Sequence, residues 1–384
     1  MSESVPPELY NNFPKLDVSV YDRNPVFLVY GDNRPSYRAY EKLVFSKNNW
    51  SKQKLLIFPI YAPWLILNDL YGSINYFRGT PVFGRDESRA VLTQLYAEIE
   101  NNNIDFIAHT GDIVTNGSYA SHWEYFLRET GIEIPVLQRV PIYPAAGNHD
   151  YPNHKEYGEA NFNRVFPNSK FYTKRFKDIL LIFIDSTIIL DQDGHLGSRD
   201  EQDRLFRKWF VSQAGSAEAS WLEQKLESSN EKYKIIFMHH PLISFGKHSG
   251  DWRRDNWGNN ISGKRDEIFK VLKKNHVNAI FAGHEHYYEH NLLSYEEEEI
   301  SYQMHIVITG GGGTPVRPLT SNESVMEKIK IEQNMGYNVQ MLKREEAYNY
   351  CVVTVTENGI EVIVKSVNGR NADSTGIIEQ FKIF

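Results

Sequence analysis

The sequence predicts an α/β protein whose β-sheets are covered by helices on both faces. Short apolar, β-branched runs alternate along the chain with segments that have the 3.6-residue spacing of amphipathic helices. The strand-like runs are continuously apolar, which is typical of strands buried on both faces. Polar side chains able to bind metals directly follow five of these runs, so one sheet edge is the expected functional site.

Seven apolar runs are predicted to be strands, and three helices are predicted between them. The predicted strands are residues 26–30, 104–109, 140–145, 179–185, 235–238, 279–282 and 305–309. The helical faces are marked by Leu92, Leu95, Tyr96 and Ile99, by Trp221, Leu222 and Leu226 behind a cap at Ser216, and by Ile268, Val271 and Leu272. A hairpin is expected at about 350–366, where Glu357-Asn358-Gly359 joins two strands. No linker is evident, so residues 1–384 are expected to form a single catalytic domain.

Composition limits the possible functions. The chain has 384 residues, of which 41% are hydrophobic and 24% are charged, with a formal net charge of -7. This acidity argues against a nucleic-acid surface, because phosphate backbones require basic stripes. Cys351 is the only cysteine, which excludes an internal disulfide and a cysteine-based metal site. The first 16 residues do not have the pattern of a signal peptide, so we expect a cytoplasmic protein.

Five short motifs place metal-binding groups directly behind predicted strands. They are Gly31-Asp32, Gly111-Asp112, Gly147-Asn148-His149-Asp150, His239-His240-Pro241 and Gly283-His284-Glu285-His286. Carboxylate, amide oxygen and imidazole are ligands that zinc, manganese and iron accept. Glycine before a ligand lets the backbone turn sharply and approach an ion. The five motifs together predict a two-metal site at one sheet edge.

The order and the residues of these motifs resemble those of the calcineurin-like metallophosphoesterase superfamily, especially its purple-acid-phosphatase-like branch. The resemblance covers about residues 26–293, and the tail is similar to the closing strands of that branch. It implies a four-layer α-β-β-α sandwich and a phosphatase or phosphodiesterase. Its cofactors would be two divalent or trivalent ions of manganese, iron or zinc, with metal-bound hydroxide as the nucleophile.

The resemblance also implies roles for individual residues. The metal ligands would be Asp32 and His286 for the first metal, Asp112 as a bridge, and Asn148, His239 and His284 for the second metal. His149 would face the leaving group of the phosphoester substrate and protonate it as the general acid. Asp150, the next residue, would be able to orient the His149 ring.

Two positions depart from the family pattern. Many family members have a histidine two residues after the first aspartate, where this chain has Arg34. The purple branch has a tyrosine three residues after the second aspartate, where this chain has Thr115. The first metal therefore lacks one protein ligand and is expected to be weakly held or supplemented by water. Arg34 is expected to bind the substrate phosphate instead, with a surface ion pair as the alternative.

The remaining histidines and the glycine run have simpler interpretations. His240 is the weaker of its adjacent pair, and a structural or surface role is expected for His109, His122, His154, His195, His248, His276, His290 and His305. Residues 310–313 are four glycines, which predict a loop that approaches the metals closely rather than a P-loop. The depleted first metal site leaves a second class open, a catalytically weak phospholigand-binding or scaffold protein with the same fold.

A long apolar insertion separates the first predicted strand from the first amphipathic helix, at about residues 42–85. Its core, LLIFPIYAPWLIL at 55–67, is too short to span a membrane, which takes roughly 20 apolar residues. Pro59 and Pro63 are expected to interrupt any helix there. Aromatic and basic flanks suggest a lipid-facing lid with peripheral membrane contact through 55–77. The alternative is an inserted pair of helices packed on the main domain or on a second subunit as a dimer.

Overall fold

Two β-sheets form the centre of the protein. The computed structural model describes residues 4–11, 20–35, 58–79, 81, 84–151, 155–190, 199–254, 260–368 and 375–384. The strands are β1 (Val20–Tyr21), β2 (Val26–Tyr30), β3 (Phe106–His109), β4 (Ile142–Pro144), β5 (Phe171–Phe176), β6 (Ile179–Ile184), β7 (Tyr233–Phe237), β8 (Ala279–Ala282), β9 (Tyr288–Glu297), β10 (Ile300–Thr309), β11 (Asn338–Glu345), β12 (Tyr348–Thr356), β13 (Gly359–Val367) and β14 (Thr375–Ile383). One sheet has the order β1-β5-β6-β7-β8-β10-β9-β11, and the other has the order β14-β13-β12-β2-β3-β4.

Helices connect most of the strands and cover the outer faces of the sheets. The α-helices are α1 (Phe58–Arg78), α2 (Arg85–Asn101), α3 (Ala120–Arg128), α4 (Val136–Arg139), α5 (Lys155–Val165), α6 (Arg199–Trp209), α7 (Trp221–Glu227), α8 (Ser262–Lys274) and α9 (Asn322–Asn334).

The side chains of each central strand alternate between two apolar cores. In β2, Phe27 and Val29 join the core between the two sheets, which also contains Phe237 of β7. Leu28 and Tyr30 point the other way and pack in a core with residues of α2 and α3. A third core packs the other sheet against α6, α7, α8 and α9. Three cores between successive layers confirm the predicted α-β-β-α sandwich.

The parallel strands bring their carboxyl ends to one edge. β2, β3 and β4 are parallel neighbours in one sheet, and β6, β7 and β8 are parallel neighbours in the other. Loops that leave these ends also join the sheets, because the backbone N–H of His284 donates to Asp32 Oδ2 over 2.8 Å. The segments that carry the five motifs therefore meet at one edge, as the sequence predicts.

The seven predicted strands are present, with bounds that differ by a few residues. The predicted C-terminal hairpin is also present as the antiparallel pair β12 and β13. The predicted helix cap at Ser216 is wrong, because the cap of α7 is Ser220. Its hydroxyl accepts from the Glu223 N–H, while the Glu223 carboxylate accepts from the Ser220 N–H. This reciprocal capping box satisfies two backbone donors at the start of α7, which a lone serine at 216 would not do.

The insertion contains one long helix in its described part, and residues 36–57 lie outside the description. The expected interruption by proline is wrong, since α1 runs from 58 to 78 with Pro63 inside it. Pro63 has no N–H, so one helical hydrogen bond to residue 59 is missing there, but the helix continues to Arg78. Among the described helices, none combines the length and the apolar character that crossing a membrane requires.

The carboxyl-terminal turn of α1 is attached to the segment that follows the second motif. Tyr76 accepts hydrogen bonds from Asn116, through its hydroxyl over 2.6 Å, and from His122 Nε2, through its carbonyl over 2.8 Å. Its ring packs edge-on against Tyr119 at 5.5 Å. Leu67, Leu70, Tyr71, Ile74 and Phe77 remain exposed, with 42–64% of their surface accessible. Their spacing forms an apolar stripe along α1.

Candidate metal centre

Three of the predicted ligands lie in left-handed backbone conformations. The φ angles are 56° at Asp32, 57° at Asp112 and 71° at His284, a region that non-glycine residues rarely adopt. These turns lead the chain out of β2, β3 and β8 and present the side chains at the sheet edge. Gly147 makes the approach possible, because a Cβ at this position would collide with the Asp112 carboxylate.

Four atoms that could bind a metal converge beside the ends of β3, β4, β7 and β8. His239 Nε2 lies 3.1 Å from the Asn148 amide oxygen and 3.1 Å from His284 Nδ1. The same nitrogen lies 3.4 Å from Asp112 Oδ1. Ligands bound to one ion at about 2.0–2.2 Å have separations of this size. We call these four residues the second site, after the metal that the sequence assigns to them.

Hydrogen bonds on the far side of the two imidazole rings determine where their protons lie. His239 Nδ1 is 2.9 Å from the Thr110 carbonyl, and His284 Nε2 is 2.9 Å from Asp251 Oδ2. Carbonyl and carboxylate oxygens only accept, so these nitrogens carry the protons and the other ring nitrogens are bare. Four acceptor atoms then face one another, an arrangement that a cation stabilises. The second site therefore fits a metal ion.

The residues expected around the first metal are arranged differently. Asp32 Oδ1 is buried without a hydrogen-bond partner and lies 3.6 Å from His286 Nε2. The Nε–H of Arg34 donates to Asp112 Oδ2 over 2.9 Å, and Arg34 is only 5% exposed. An Arg317 Nη2 lies 3.3 Å from His286 Nε2. Two guanidinium groups thus contact two of the three atoms that the sequence assigns to a first metal, so this set of ligands does not fit a second ion. Asp32, Asp112 and His239 also bring ligand atoms within 4.8 Å of one another, but His239 Nε2 already belongs to the second site.

Burial and neighbouring charges shift the pKa values of Asp32 and Asp112 in opposite directions. Burial and the charge of Asp112 raise the pKa of Asp32 well above its usual range. Burial also acts to raise the pKa of Asp112, but His239, His149 and Arg34 hold it well below its usual range. Asp112 is therefore the ionised carboxylate at the centre of the edge, between the second site and Arg34.

The buried histidines are neutral, as metal ligands must be. Burial lowers the pKa of His239, and it lowers those of His284 and His286 well below the usual range. A neutral ring keeps one nitrogen lone pair for an ion.

His149 and Asp150 lie at the same edge, but the expected contact between them is wrong. His149 Nδ1 is 2.9 Å from the Thr115 carbonyl, which orients the ring. The two carboxylate oxygens of Asp150 instead accept from the backbone N–H groups of Asp112, Ile113, Val114 and Gly147. Asp150 therefore fixes the loop that carries Asp112, because a buried carboxylate surrounded by backbone donors cannot also reach the neighbouring side chain. Burial, together with Arg34, lowers the pKa of His149 to about 4.

Three further residues belong to the edge and were not predicted from the sequence. Asp251 contacts His284, and His248 Nδ1 lies 3.2 Å from the same Asp251 oxygen. The His248 ring is 4.0 Å from that of His284, which places it beside the second site. Arg317 is the third. None directly follows a predicted strand. The local signals are the Gly250-Asp251 pair and the position of His248 and Asp251 within 12 residues of His239.

The other predicted neighbours are also located. Residues 310–313 form a close-approach loop, in which the Gly312 N–H donates to the Gly31 carbonyl over 2.9 Å. His240 is buried behind the second site with Nδ1 2.9 Å from Ser186 Oγ. Thr115, at the position of the purple-type tyrosine, directs its hydroxyl to the Pro35 carbonyl. His154 and His195 lie outside the described residues.

An α-β-β-α sandwich with aspartate, asparagine and histidine at the carboxyl ends of both sheets defines the class of two-sheet metallophosphoesterases. The family model described as Calcineurin-like phosphoesterase matches residues 62–288, more than half of the chain, and the chain belongs to this family. The match begins after Asp32 and Arg34, so it does not include the first motif.

Several characterised or named proteins are similar in sequence, and they support the predicted purple-acid-phosphatase-like branch. Purple acid phosphatase 17 of Arabidopsis thaliana is 27% identical over 245 residues, which are 59% of this chain and 65% of that protein. A probable cyclic nucleotide phosphodiesterase of Vesicomyosocius okutanii is 27% identical over 197 residues, 51% of this chain and 68% of that protein. Purple acid phosphatase 3 of Arabidopsis thaliana is 26% identical, with 56% of each chain covered. The chain thus spans less than two thirds of the two plant relatives.

Solved structures agree on the fold. A purple acid phosphatase from yellow lupin (Lupinus luteus) seeds superposes with a TM-score of 0.54 at 14% identity, covering 94% of this chain and 54% of that one. A structure of PhoD gives a TM-score of 0.52 at 10% identity, covering 95% of this chain and 70% of that one. Identities this low show the fold alone.

Proposed function

We propose that this protein is a metal-dependent phosphoesterase. The observation that carries the proposal is the second site. There, one atom each of Asn148, His284 and Asp112 lies 3.1–3.4 Å from His239 Nε2, and the four atoms come from loops of both sheets. Family membership supports the same reaction class. We also propose that residues 1–384 act as one catalytic domain, because ligands from both sheets are needed to complete the site.

Asp112, Asn148, His239 and His284 would hold a divalent ion of manganese, iron or zinc. A bound ion supplies Lewis-acid polarisation of a phosphoryl oxygen and acidifies a water molecule for attack on phosphorus. Arg34 would bind the phosphoryl group from the opposite side, since its planar fork pairs with two oxygens. Its Nε contact with Asp112, 2.9 Å long, fixes the plane of the guanidinium for that purpose.

His149 would deliver a proton to the leaving oxygen. The Thr115 carbonyl accepts from Nδ1, which leaves Nε2 as the atom that exchanges protons with an ester. The ring is neutral in the free protein, and an anionic phosphoryl group beside it favours the protonated form. His149 is therefore both a substrate-binding and a catalytic residue in this proposal.

The substrate is a phosphate mono- or diester. Relatives named as acid phosphatases act on one class, and a relative named as a cyclic nucleotide phosphodiesterase acts on the other. A paired assay of an aryl phosphate and a bis-aryl phosphate tests the reaction class. We expect hydrolysis of at least one ester after manganese or zinc is added to chelator-treated protein. Hydrolysis of neither, by protein that binds the ion, would indicate the phospholigand-binding alternative.

The α1 stripe is proposed to touch a lipid interface as a peripheral contact, in a protein that resides in the cytoplasm. Leu67, Leu70, Tyr71 and Phe77 are each more than half exposed, a costly arrangement for a face that meets only water. Arg78 ends the helix with a positive charge, which favours anionic headgroups. Because α1 is attached to residues 116–122 behind the Asp112 loop, such a contact would bring an apolar phosphoester to the metal centre.

A further inference from the structure

We infer that the guanidinium groups of Arg34 and Arg317 replace the first metal, so that the protein holds one resident ion, at the second site. This inference rests on the proposed function, since it concerns how the same edge neutralises a phosphoryl group. It differs from the two-ion arrangement that the motifs imply.

The first reason is contact. The atoms that would bind a first ion are Asp32 Oδ1, Asp112 Oδ2 and His286 Nε2. Of these, Asp112 Oδ2 accepts from Arg34 Nε over 2.9 Å, and His286 Nε2 has Arg317 Nη2 at 3.3 Å. Only Asp32 Oδ1 lacks a partner. One oxygen does not hold a metal, because such ions in proteins need three or four donors.

The second reason is charge. The guanidinium groups of Arg34 and Arg317 already lie at this part of the edge, where they contact Asp112 Oδ2 and His286 Nε2. Arg317 is also 3.8 Å from Glu285, whose side chain is fully buried. A divalent ion at the first site would lie against two permanently charged groups in a medium of low dielectric constant, where repulsion is strong.

The third reason is that hydrogen bonds hold both arginines in place. The Arg34 carbonyl accepts from the Thr314 hydroxyl over 2.8 Å, and the Thr314 N–H donates to the Asp32 carbonyl over 2.8 Å. The backbone N–H of Arg317 donates to the His286 carbonyl over 3.0 Å, and its Nη1 lies 3.3 Å from the His284 carbonyl. The loop after the four glycines therefore binds the backbone of both the first and the last motif, and it places the two guanidinium groups between them.

The fourth reason is the identity of the replaced residue. Arg34 stands where the motif pattern has a histidine ligand, and Thr115 stands where the purple pattern has a tyrosine ligand. The two patterns are alternatives, so under either one the chain lacks a single donor, and Arg34 also adds a cation at that point. A guanidinium supplies a positive charge and paired donors to phosphoryl oxygens without needing ligands of its own. Arg34 can thus supply the positive charge that a first metal ion would bring to the phosphoryl group.

The test is the number of ions bound. Chelator-treated protein without a histidine tag is loaded with Mn²⁺, dialysed and measured by elemental analysis, with electron paramagnetic resonance of the same sample. We expect one ion per chain and the six-line spectrum of an isolated Mn²⁺. Arg34→His restores the missing donor and removes the cation, so it should bind two ions and give a spin-coupled spectrum. Arg204→His, at an exposed position on α6, adds a histidine elsewhere and should still bind one.

Each outcome is informative. Two ions per wild-type chain would overturn the inference even if Arg34→His failed to fold, while ester hydrolysis by that protein would leave the proposed function standing. One ion per chain in protein that hydrolyses no ester would contradict the proposed function and leave the stoichiometry intact. A second variant, Arg34→Gly, should lose at least about 10²-fold in activity and regain part of it with added guanidinium chloride. Failure of guanidinium to restore any activity in a folded Arg34→Gly protein would count against a cationic role for the side chain.

Discussion

The Nε2 atom of His284 lies 2.9 Å from Oδ2 of Asp251, on the opposite side of the ring from the second site. This contact holds the proton on Nε2 and turns the bare Nδ1 toward His239. Asp251 touches no expected substrate atom, so it is a positioning residue. Its carboxylate also increases the basicity of the His284 nitrogen that would bind the ion.

Replacing Asp251 should therefore weaken metal binding without removing a ligand. Asp251→Ala is expected to lower affinity for Zn²⁺ about 10–100-fold, as loss of such partners does elsewhere. Competition with a coloured chelator measures this, and Asp251→Asn should restore part of the affinity because its amide oxygen still accepts. Asp203→Ala, at a half-exposed aspartate on α6, is the matched control and should bind like wild type. Identical affinities for the wild type and Asp251→Ala would refute the positioning role.

Removing the charge of Asp112 should abolish turnover. This carboxylate contributes one oxygen to the second site and accepts from Arg34 with the other, so Asp112→Asn disturbs both. We expect at least about a 10²-fold loss in kcat/KM and less metal in elemental analysis. Chelator treatment of the wild type should have the same effect and be reversible. Wild-type activity in either preparation, with the fold verified by thermal unfolding, would show that the reaction does not depend on this site.

Removing the His149 ring should slow poor leaving groups most. If the ring delivers the proton, His149→Ala loses about 10²–10⁴-fold with an alkyl phosphate and much less with a nitrophenyl phosphate. The metal content should stay the same, since the ring bonds to Thr115 rather than to the second site. Equal losses on both esters would assign His149 to binding alone.

Breaking the α1 stripe should reduce binding to anionic lipid vesicles. Leu67→Ser with Leu70→Ser removes two side chains that are 64% and 55% exposed, so little folding energy is lost. Co-sedimentation with phosphatidylserine vesicles measures the difference. The matched control is Ile300→Ser with Ile377→Ser, which are 55% and 65% exposed on other elements. If both double variants and the wild type stay in the supernatant, the lipid contact is excluded; dimerisation lost only in the α1 variant would favour a second subunit.

Acid should loosen the attachment of α1 through His122. Burial lowers the pKa of this histidine to about 4, against an unfolded value near 6.5. The folded state thus binds fewer protons between these values, and its stabilisation is complete above pH 6.5 and is lost as pH falls toward 4. Between pH 7 and pH 5 the loss is about 2 kcal/mol.

Urea unfolding of the wild type and His122→Asn at pH 7, 6 and 5 measures this effect. Asparagine has no such titration and can still donate to the Tyr76 carbonyl. The stability difference between the two proteins should therefore shrink as the pH falls. Parallel curves would show that His122 is not the group responsible.

The covered sheets and a metal-binding edge were predictable from the sequence because both depend on local signals, whereas the assignment of ligands to the second site came from the family resemblance. Continuous apolar runs mark strands buried on both faces, and glycine-flanked donors behind them mark a sheet edge. β9 was missed because it buries Glu289, His290 and Asn291, which carry no apolar pattern. Their burial depends on partners elsewhere, such as the Phe245 N–H that donates to Glu289 over 2.9 Å.

The residues that contact the ligands could not be predicted from local sequence patterns, because they come from distant segments of the chain. Nothing near Arg317 in the sequence connects it to His286, and only the loop that follows the four glycines brings the two together. The partner of Asp150 was assigned to its neighbour His149, whereas the fold supplies backbone donors from residues 112–114 and from Gly147 of the same motif. Pro63 was expected to interrupt a helix, but α1 continues through it to Arg78.

The left-handed turns at Asp32, Asp112 and His284 set stability and activity against each other. Each such conformation costs about 1–3 kcal/mol for a residue with a side chain, and glycine would adopt it freely. Selection for heat resistance alone would therefore enrich glycine at the very positions where the ligands lie. A library of variants at these three positions can be screened once for stability and once for metal binding. Glycine should be accepted in the stability screen and rejected in the metal-binding screen. Thermostable variants of this chain are best sought away from the ends of β2, β3 and β8.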